Sequence, residues 1–295
     1  MDKNESVAVI LVNFNGIKDS IECIKSINKS NIIDQVKIIF VDNASANRED
    51  LIIKQMFPDI ITLRSDINNG FSAGNNIGIK YAVNNNYQYI MLLNNDTVIE
   101  TDLIDILRKK CDENTVTVPK MFYYSQPDLI WYGGGRINKF TGNAEHINMN
   151  RIDNFYDEDR NVTFATGCCM MIASKTFKKI GLLEEKYFMY CEDTDFCIRL
   201  VQKDIKIVYL HDAKLWHKIG KSTGGEISPF NVYYITRNRL YYNKIYRKNF
   251  NPCAYIYSLI SRYIRMWICK DKSLKCAYKK ALTDYKKGVT GKVDF

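Results

Sequence analysis

The amino-acid sequence predicts an α/β fold, in which a Rossmann-like, doubly wound mixed sheet is followed by a helical, basic C-terminal tail. Two observations predict the sheet. Residues 7–12 and 36–41 are continuous apolar runs, typical of strands buried on both faces, and strand-like and helix-like segments alternate through residue 110. A third observation predicts the tail, because residues 237–295 hold 15 Lys and Arg against 3 Asp and Glu, whereas residues 1–236 hold 27 against 30.

The other elements of the first half follow from apolar periodicity and from Gly and Asn breaks. The pattern predicts helices at 17–27 and 49–57, strands at 60–63 and 89–93, and a Gly- and Asn-rich loop at 68–76 that leads into a helix ending at residue 84. In such sheets ligands lie at the carboxyl ends of the strands. Those ends carry Asn13, Asp42 and Asp96, which are therefore expected at one edge.

After residue 110 the alternation loosens into a mixed second half. Strands are predicted at 116–124, 129–132, 162–171 and 205–210, and helices at 174–180 and 193–202. Ser174 is expected to cap the first of these helices, and Gly181 to end it. Since neither a repeat nor a linker is visible, we expect one domain over residues 1–240, followed by the tail at 241–295.

Composition limits the class of protein. The chain has 295 residues, with 46% hydrophobic and 25% charged, which is a globular and not a disordered composition. Its nine cysteines show no disulfide-framework spacing, which favours a reducing compartment. The charged residues 1–5 do not resemble a signal peptide, and no run of 18 apolar residues is present to span a bilayer. The sequence therefore predicts a cytoplasmic protein.

Four acidic or histidine-containing segments are candidates for chemistry: Asp42, Asn94-Asn95-Asp96, Glu192-Asp193-Thr194-Asp195 and His217. A carboxylate at a strand end can hold a divalent cation that also binds two phosphates, because Mg²⁺ and Mn²⁺ prefer oxygen ligands. A carboxylate at the start of a helix can act as a general base. The pattern favours a metal and nucleotide site.

Seven motifs in order carry a resemblance. The chain resembles the inverting family 2 glycosyltransferases of the GT-A fold, particularly rhamnosyltransferase-like members of bacterial surface polysaccharide synthesis. The resemblance covers residues 7 to about 240. The motifs are Val-Asn-Phe-Asn (12–15), Val-Asp-Asn-Ala-Ser (41–45), Asn-Asn-Gly-Phe-Ser-Ala-Gly-Asn-Asn-Ile-Gly (68–78), Leu-Leu-Asn-Asn-Asp-Thr (92–97), Tyr-Phe-Met-Tyr-Cys-Glu-Asp-Thr-Asp (187–195), His217 and Tyr-Tyr-Ile-Thr-Arg-Asn (233–238).

The resemblance implies transfer of a sugar, rhamnose or a hexose, from a dTDP or UDP donor to a hydroxyl of a glycan or polyprenyl-linked acceptor. It implies Mn²⁺ or Mg²⁺ held by Asp96 and His217, with Asp193 as the base. Glu192 and Asp195 are expected to position the acceptor or to fix the start of their helix. Asn94 stands where the family triplet begins with Asp, so one carboxylate fewer is available to the metal. The residues implied at the nucleotide sugar are Val12, Asn13, Phe14, Asp42, Asn68, Gly70, Asn75, Asn94, Asn95 and Arg237.

The tail combines basic and aromatic residues, which fits a membrane surface with anionic lipid. We expect an amphipathic helix pair on the inner face of the cell membrane, with a second helix restarting near Ser273. A contact between two copies of the chain is the alternative. The predicted basic stripe is Arg262, Arg265, Lys272, Lys279 and Lys286, beside or opposite Tyr255, Ile256, Leu259, Ile260 and Ile264.

Three competing interpretations are disfavoured. A sugar nucleotidylyltransferase normally has a Gly-rich loop bearing Lys or Arg after the first strand, where this chain has residues 13–17. A nucleic-acid-binding protein would leave the acidic segments of the near-neutral body unexplained, so no nucleic-acid partner is expected. A zinc site is disfavoured because the spacing between the first two members of the series Cys191, Cys197, His211 and His217 is wider than usual.

Overall fold

The computed structural model describes residues 6–153, 156–219 and 228–294. The strands of the described part are β1 Val7–Asn13, β2 Val36–Asn43, β3 Ile61–Ser65, β4 Tyr89–Asn94, β5 Thr97–Ile99, β6 Thr115–Tyr123, β7 Gln126–Tyr132, β8 Gly135–Ile137, β9 Ala144–His146, β10 Arg160–Val162, β11 Cys169–Ala173 and β12 Lys206–His217. The α-helices are α1 Ile17–Ile27, α2 Glu49–Met56, α3 Gly70–Asn84, α4 Leu103–Lys110, α5 Ser174–Ile180, α6 Glu192–Val201, α7 Pro229–Ile245, α8 Ala254–Ile268 and α9 Lys272–Lys287.

One mixed sheet organises the fold. Its strand order is β10-β12-β6-β11-β4-β1-β2-β3, with β5 paired to β12 and β7 to β6. Strands β1 to β4 run parallel to their neighbours in this group, whereas β11 runs antiparallel to both β4 and β6. The predicted doubly wound α/β sheet with a mixed second half is therefore confirmed. Its centre is apolar: every residue from 7 to 11 has no exposed surface.

The expected loop at 68–76 is wrong, because α3 begins at Gly70. Two glycines of that stretch face the sheet: a Cβ on Gly74 would lie 2.6 Å from Val12 Cγ1, and one on Gly78 would lie 2.6 Å from Ile10 Cγ2. These glycines let α3 pack directly on β1. Their low helix propensity is outweighed by the close contact.

The single strand expected at 162–171 is divided into β10 and β11. Between them the backbone leaves the sheet: Phe164 N–H donates to the Gly135 carbonyl, and Gly167 N–H donates to Asp193. The capping role expected for Ser174 is also wrong. Ser174 is already helical, and its hydroxyl donates to the Tyr87 carbonyl. Gly181 ends the helix as predicted, with φ +79°.

The tail packs on the body through α7, whose range includes the boundary expected at residue 240. A buried cluster joins Phe188 to Tyr233 and Tyr234 of α7 and to Ala277 and Ala281 of α9. The second helix expected near Ser273 is confirmed, because Asp271 starts α9 by accepting hydrogen bonds from the N–H groups of residues 273 and 274. The predicted basic stripe is wrong at Arg262, which is 5% exposed and therefore not on the surface.

Helix α8 turns its large apolar side chains outward. Ala254, Ser258 and Arg262 form its buried face. On the other side lies an exposed apolar face with a helical repeat, made of Ile256, Tyr257, Ile260, Ile264, Trp267 and Ile268. Within the described ranges the structure contains no helix both long and apolar enough to cross a membrane.

Candidate active site

The carboxyl ends of the central strands meet at one edge, as the strand order requires. Asn13 pairs in register with Asp42, and Val12 pairs with Asn94. Strand β12 reaches the same edge from the other half of the sheet, because His217 pairs with Thr97 of β5. The predicted residues Asn13, Asp42 and Asp96 are therefore brought together.

Asp96 and His217 form the candidate metal centre. The Nε2 atom of His217 lies 3.1 Å from Oδ1 of Asp96. His217 is 8% exposed, its Nδ1 has no described hydrogen-bond partner, and the Trp131 ring packs edge-on against the imidazole, with the ring centroids 4.6 Å apart. Asp96 is only half-buried, so the pair is open on one side.

The donor set fits a divalent cation shared with a diphosphate. One carboxylate and one imidazole suit Mn²⁺, and a cation with two protein ligands keeps positions for phosphate oxygens and water. No group of three or more His, Cys, Asp or Glu side chains with metal-site geometry occurs in the described part of the chain. A cation here would therefore depend on its phosphate ligand for the rest of its coordination.

Asp193, the predicted base, lies at the same edge. It occupies the first turn of α6, and its Oδ2 accepts a hydrogen bond of 3.2 Å from Gly167 N–H. The next residue, Cys168, accepts through its carbonyl from Asn94 N–H at 2.8 Å. Asp193 and the segment 94–96 are thus anchored to adjacent residues of one backbone segment.

Burial raises the pKa of Asp193, and hydrogen bonds from Gly167 and Thr194 oppose that shift. A carboxylate with a raised pKa is a stronger base than an ordinary surface aspartate. The side chain is only partly covered, which leaves access for an acceptor hydroxyl. The arrangement can therefore remove a proton from a group that enters the edge.

Glu192 and Asp195 flank this base but differ in their surroundings. Glu192 is 5% exposed, its Oε2 has no partner in the described chain, and burial together with the charge of Asp193 raises its pKa well above the usual range. Asp195 accepts hydrogen bonds from Tyr246 at 2.8 Å and from Arg199 at 2.8 Å. With 3% of its surface exposed, Asp195 holds α6 in place here, and its predicted acceptor contact stays a prediction.

Asn13 and Asn95 are joined in a buried polar network. Asn13 donates to Ser45 Oγ at 3.1 Å and to Glu49 Oε2 at 2.6 Å, and its Oδ1 accepts from Asn95 Nδ2 at 3.1 Å. Asn95 also donates to Ser20 Oγ at 2.8 Å. Both amides therefore fix the loops around the strand ends. Beside them Phe14 is 49% exposed, and Val12 and Asn94 are half-buried.

Asp42 has no exposed surface. Its carboxylate accepts from Ser45 N–H at 2.8 Å and forms an ion pair with Arg64. Arg64 was not predicted from the sequence. The available indication was that Arg64 is the single basic residue of β3, the strand in which it pairs with Asp42 of β2. The predicted contact of Asp42 with a nucleobase would have to share this carboxylate with Arg64, and it stays a prediction.

Asn68, Gly70 and Asn75 shape the start of α3. Asn68 Oδ1 accepts from Gly70 N–H at 2.9 Å and from Asn43 at 3.1 Å, while the buried Asn75 amide donates to the Phe71 carbonyl at 3.0 Å. Gly70 has φ +90°, and a Cβ there would lie 2.0 Å from the Phe188 carbonyl oxygen. Only glycine fits, so α3 and the segment before α6 are held in close contact.

A strained turn leads into α6, the helix that carries the predicted base. Phe188, Tyr190 and Cys191 all have positive φ, between 65° and 75°. The side-chain nitrogen of Asn238 lies 2.7 Å from the Tyr187 and Met189 carbonyls and 3.0 Å from that of Tyr190. Strain of this kind persists where the surroundings enforce it. Asn238 was missed as a functional residue, although it follows Arg237 in a quoted motif.

Arg237 does not reach the strand-end edge as a free cation. It has no exposed surface, its guanidinium donates to Asn238, to the Tyr233 hydroxyl and to the Tyr187 carbonyl, and it lies over the Tyr234 ring at 4.9 Å. Arg237 therefore stabilises the strained turn before α6. The predicted contact with the nucleotide sugar would require this packing to open.

Sequence comparisons point to one family. The sequence model described as "Glycosyl transferase family 2" matches residues 8–181. The chain is 27% identical over 275 residues, 90% of this chain and 83% of the relative, to "Low-salt glycan biosynthesis hexosyltransferase Agl10" of Haloferax volcanii. It is 25% identical over 308 residues, 98% of each chain, to "dTDP-rhamnosyl transferase RfbF" of Shigella flexneri.

A solved structure agrees with these matches. The crystal structure of GalNAc-T7 with UDP, GalNAc and Mn²⁺ superposes with a TM-score of 0.62 at 14% identity, covering 98% of this chain and 59% of that longer chain. At this identity the likeness concerns the fold alone. It confirms the predicted GT-A architecture.

Proposed function

Because this chain belongs to glycosyltransferase family 2, we propose that it is a metal-dependent, inverting enzyme that uses a nucleoside-diphosphate sugar donor. That it is a glycosyltransferase follows from the family itself. The donor proposed first is dTDP-rhamnose, with a UDP-hexose second. The relative that matches over 98% of both chains, described as a dTDP-rhamnosyl transferase, supports this order.

The observation that carries the proposal is the shared edge. Asp96 and His217 lie within 3.1 Å of each other there, and Asp193 is anchored to the segment that holds Asn94. A divalent ion bound at Asp96 and His217 supplies positive charge that neutralises the departing diphosphate.

Asp193 removes the proton of the acceptor hydroxyl as the reaction proceeds. The oxygen then forms a bond to the anomeric carbon while the bond from that carbon to the diphosphate oxygen breaks, and the electron pair leaves with the diphosphate. Attack from the face opposite to the leaving group inverts the configuration. The exposed Phe14 and the half-buried Val12 and Asn94 are the proposed donor-side surface.

We place the enzyme at the inner surface of the cell membrane, with a lipid-linked glycan of surface polysaccharide synthesis as acceptor. The apolar face of α8 supports this, since Trp267 is 80% exposed and Ile264 53%. Exposed cations, including Arg265, Lys270 and Lys272, lie beside that face. An apolar stripe beside cations is suited to the boundary of an anionic bilayer.

The test is a thermal-shift panel with UDP, dTDP, GDP and ATP, each with and without Mn²⁺. A ligand that binds only the folded state raises the melting temperature. We expect a metal-dependent rise with one pyrimidine diphosphate and none with ATP. If no nucleotide shifts the wild-type protein in the presence of Mn²⁺, the proposed donor class is wrong.

A further inference from the structure

Two arginines lie close together where α7 and α8 meet. Arg262 of α8 is 5% exposed, and its Nε is enclosed without a hydrogen-bond partner in the described chain. Burial, and after it the charge of Arg239 on α7, lowers the pKa of Arg262 to about 10. Within residues 6–153, 156–219 and 228–294, no carboxylate pairs with either guanidinium.

An arginine pair without an acid is unfavourable by itself. Enclosing an unpaired charge costs free energy, and a second positive charge nearby adds repulsion. Other donors next to the pair are also unused, because the buried Tyr242 Oη and Ser258 Oγ lack partners in the described structure. Guanidinium forks and hydroxyl groups are the donors that proteins use for phosphate oxygens. These donors together have the chemistry of a phosphate-binding site.

The cluster involves α8, which carries the apolar face, and its charges reach the start of α6, which carries the proposed base. The positive charges of Arg239 and Arg262 both act on the Cys191 thiol, although burial, the largest influence, raises its pKa to about 12. Cys191 is two residues before Asp193 at the start of α6. Arg262 belongs to the same helix as the exposed Ile260 and Ile264, but to its opposite, buried face.

We propose that Arg239 and Arg262 bind a phosphate group that links the acceptor glycan to its lipid. The inference rests on the proposed function, which supplies a base at Asp193 and a membrane at α8. A phosphate held between them would fix the distance from the bilayer to the reacting hydroxyl. The pair would thereby select acceptors that carry lipid phosphate over free sugars.

Binding of a simple probe tests the site directly. Farnesyl diphosphate and inorganic diphosphate are titrated calorimetrically with EDTA present, so that no metal at Asp96 recruits them. The double variant R239Q/R262Q should bind both at least tenfold more weakly than the wild type. The matched control is Arg247→Gln, which removes an exposed charge from the same tail and should leave binding unchanged. Equal binding by the double variant and the wild type would overturn the proposal.

Thermal stability separates ligand binding from a structural role. If Arg262 is present for a ligand, Arg262→Met should melt at or above the wild-type temperature, because it removes an enclosed, unpaired charge while filling the same space. A lower melting temperature for this variant, together with unchanged diphosphate binding, would assign Arg262 to packing. Arg262→Lys should retain part of the diphosphate affinity if positive charge is what matters.

Vesicles distinguish the two sources of lipid phosphate. Phosphatidylcholine vesicles carry either 20 mol% phosphatidylglycerol or about 1 mol% polyprenyl diphosphate, and the R239Q/R262Q variant is compared with Arg247→Gln. If the R239Q/R262Q variant loses binding only to the vesicles with polyprenyl diphosphate, the result supports recognition of the acceptor. If it loses binding only to the vesicles with phosphatidylglycerol, the arginine pair binds bulk lipid headgroups and the proposal is overturned. A metal-dependent nucleotide shift that survives in these variants shows that the proposed function stands even where this inference fails.

Discussion

His217 Nε2 lies 3.1 Å from Asp96 Oδ1, although 121 residues separate the two in the chain. The pairing of β12 with β5 creates this proximity, since His217 lies opposite Thr97, the residue after Asp96. The backbone N–H of Lys218 also donates to the Asp96 carbonyl at 2.9 Å. The sheet therefore builds the proposed metal site from two elements that belong to different halves of the fold.

Replacing either ligand should remove the effect of metal on nucleotide binding. We expect Asp96→Asn and His217→Ala to abolish the Mn²⁺-dependent part of the thermal shift with the cognate nucleoside diphosphate, because few protein ligands remain. Transfer activity should fall at least 100-fold. Asp212→Asn is the matched control, since its carboxylate is exposed on the same strand as His217. A full metal-dependent shift in Asp96→Asn would place the cation elsewhere.

Asp193→Asn should stop transfer while preserving donor binding. General-base catalysis contributes about 10²–10⁴-fold, so the loss of turnover should lie in that range or above. The nucleotide-induced shift in melting temperature should stay within error, since the proposed base would touch only the acceptor. Asp195→Asn should behave differently, because it removes the acceptor of hydrogen bonds from Tyr246 and Arg199 and should lower the melting temperature. Near-normal turnover in Asp193→Asn would exclude it as the base.

The pH profile of kcat/KM should show the titration of Asp193. Burial raises its pKa above the usual aspartate range, and the base works only when ionised. The rate should therefore decline as pH falls through a pKa above that range, giving an acid limb that Asp195→Asn retains. A profile flat down to the pKa of an ordinary aspartate would contradict the assignment.

Glu192→Gln should stabilise the protein in a pH-dependent way. Burial and the charge of Asp193 raise the pKa of Glu192 in the folded state, so folding favours its protonated form. Wild-type stability is thus greatest below the unfolded-state pKa and declines as pH rises through the folded pKa. The difference in melting temperature between the variant and the wild type should grow as pH rises over that interval. Each kcal/mol of difference in the free energy of unfolding corresponds to about 2–4 °C. An advantage that is unchanged from pH 4 to 8 would refute this account.

Sequence patterns identified the positions in the sheet better than the roles of the side chains. Apolar runs predicted β1 and β2, and the rule that ligands meet the ends of parallel strands correctly grouped Asn13 and Asp42. The sequence did not reveal that both side chains already have partners in the fold. Asn13 donates a hydrogen bond to Glu49, and Asp42 forms an ion pair with Arg64. Those partners lie 36 and 22 residues away, so they depend on the fold.

The errors in the tail and in α3 have a similar physical origin. Apolar periodicity reports which residues share a helix face, but not which face meets the protein. In α8 the polar face carrying Arg262 is buried and the isoleucine face is exposed. In α3 the glycines that suggested a loop are instead contact points on β1, because Gly74 and Gly78 meet Val12 and Ile10.

Asn238→Ala should weaken the turn that precedes the base. The amide nitrogen of Asn238 binds the carbonyls of residues 187, 189 and 190 within a segment that has three residues with positive φ. Leaving buried carbonyls unsatisfied should cost about 2–3 kcal/mol. Chemical denaturation should show that loss, and turnover should fall more than donor affinity. Lys244→Ala, on an exposed position of α7, should change neither quantity.

The apolar face of α8 should bind membranes without contributing to stability. Ile260, Ile264 and Trp267 are 52%, 53% and 80% exposed, so replacing them with Ser should leave the melting temperature within about 2 °C of wild type, as expected for surface positions. Flotation with anionic vesicles should fall at least tenfold in the triple variant. Binding of the wild type should also weaken with added salt, because the flanking cations contribute.

Light scattering decides between this membrane contact and the alternative of a dimer. If two copies cover each other's α8, the wild type should be dimeric in detergent-free solution and the triple Ser variant monomeric, with equal, weak binding of both to vesicles. We expect the reverse: the same oligomeric state for both proteins, and vesicle binding only by the wild type. Equal flotation on neutral and anionic vesicles would also count against the membrane contact, because the cations beside α8 would then have no role.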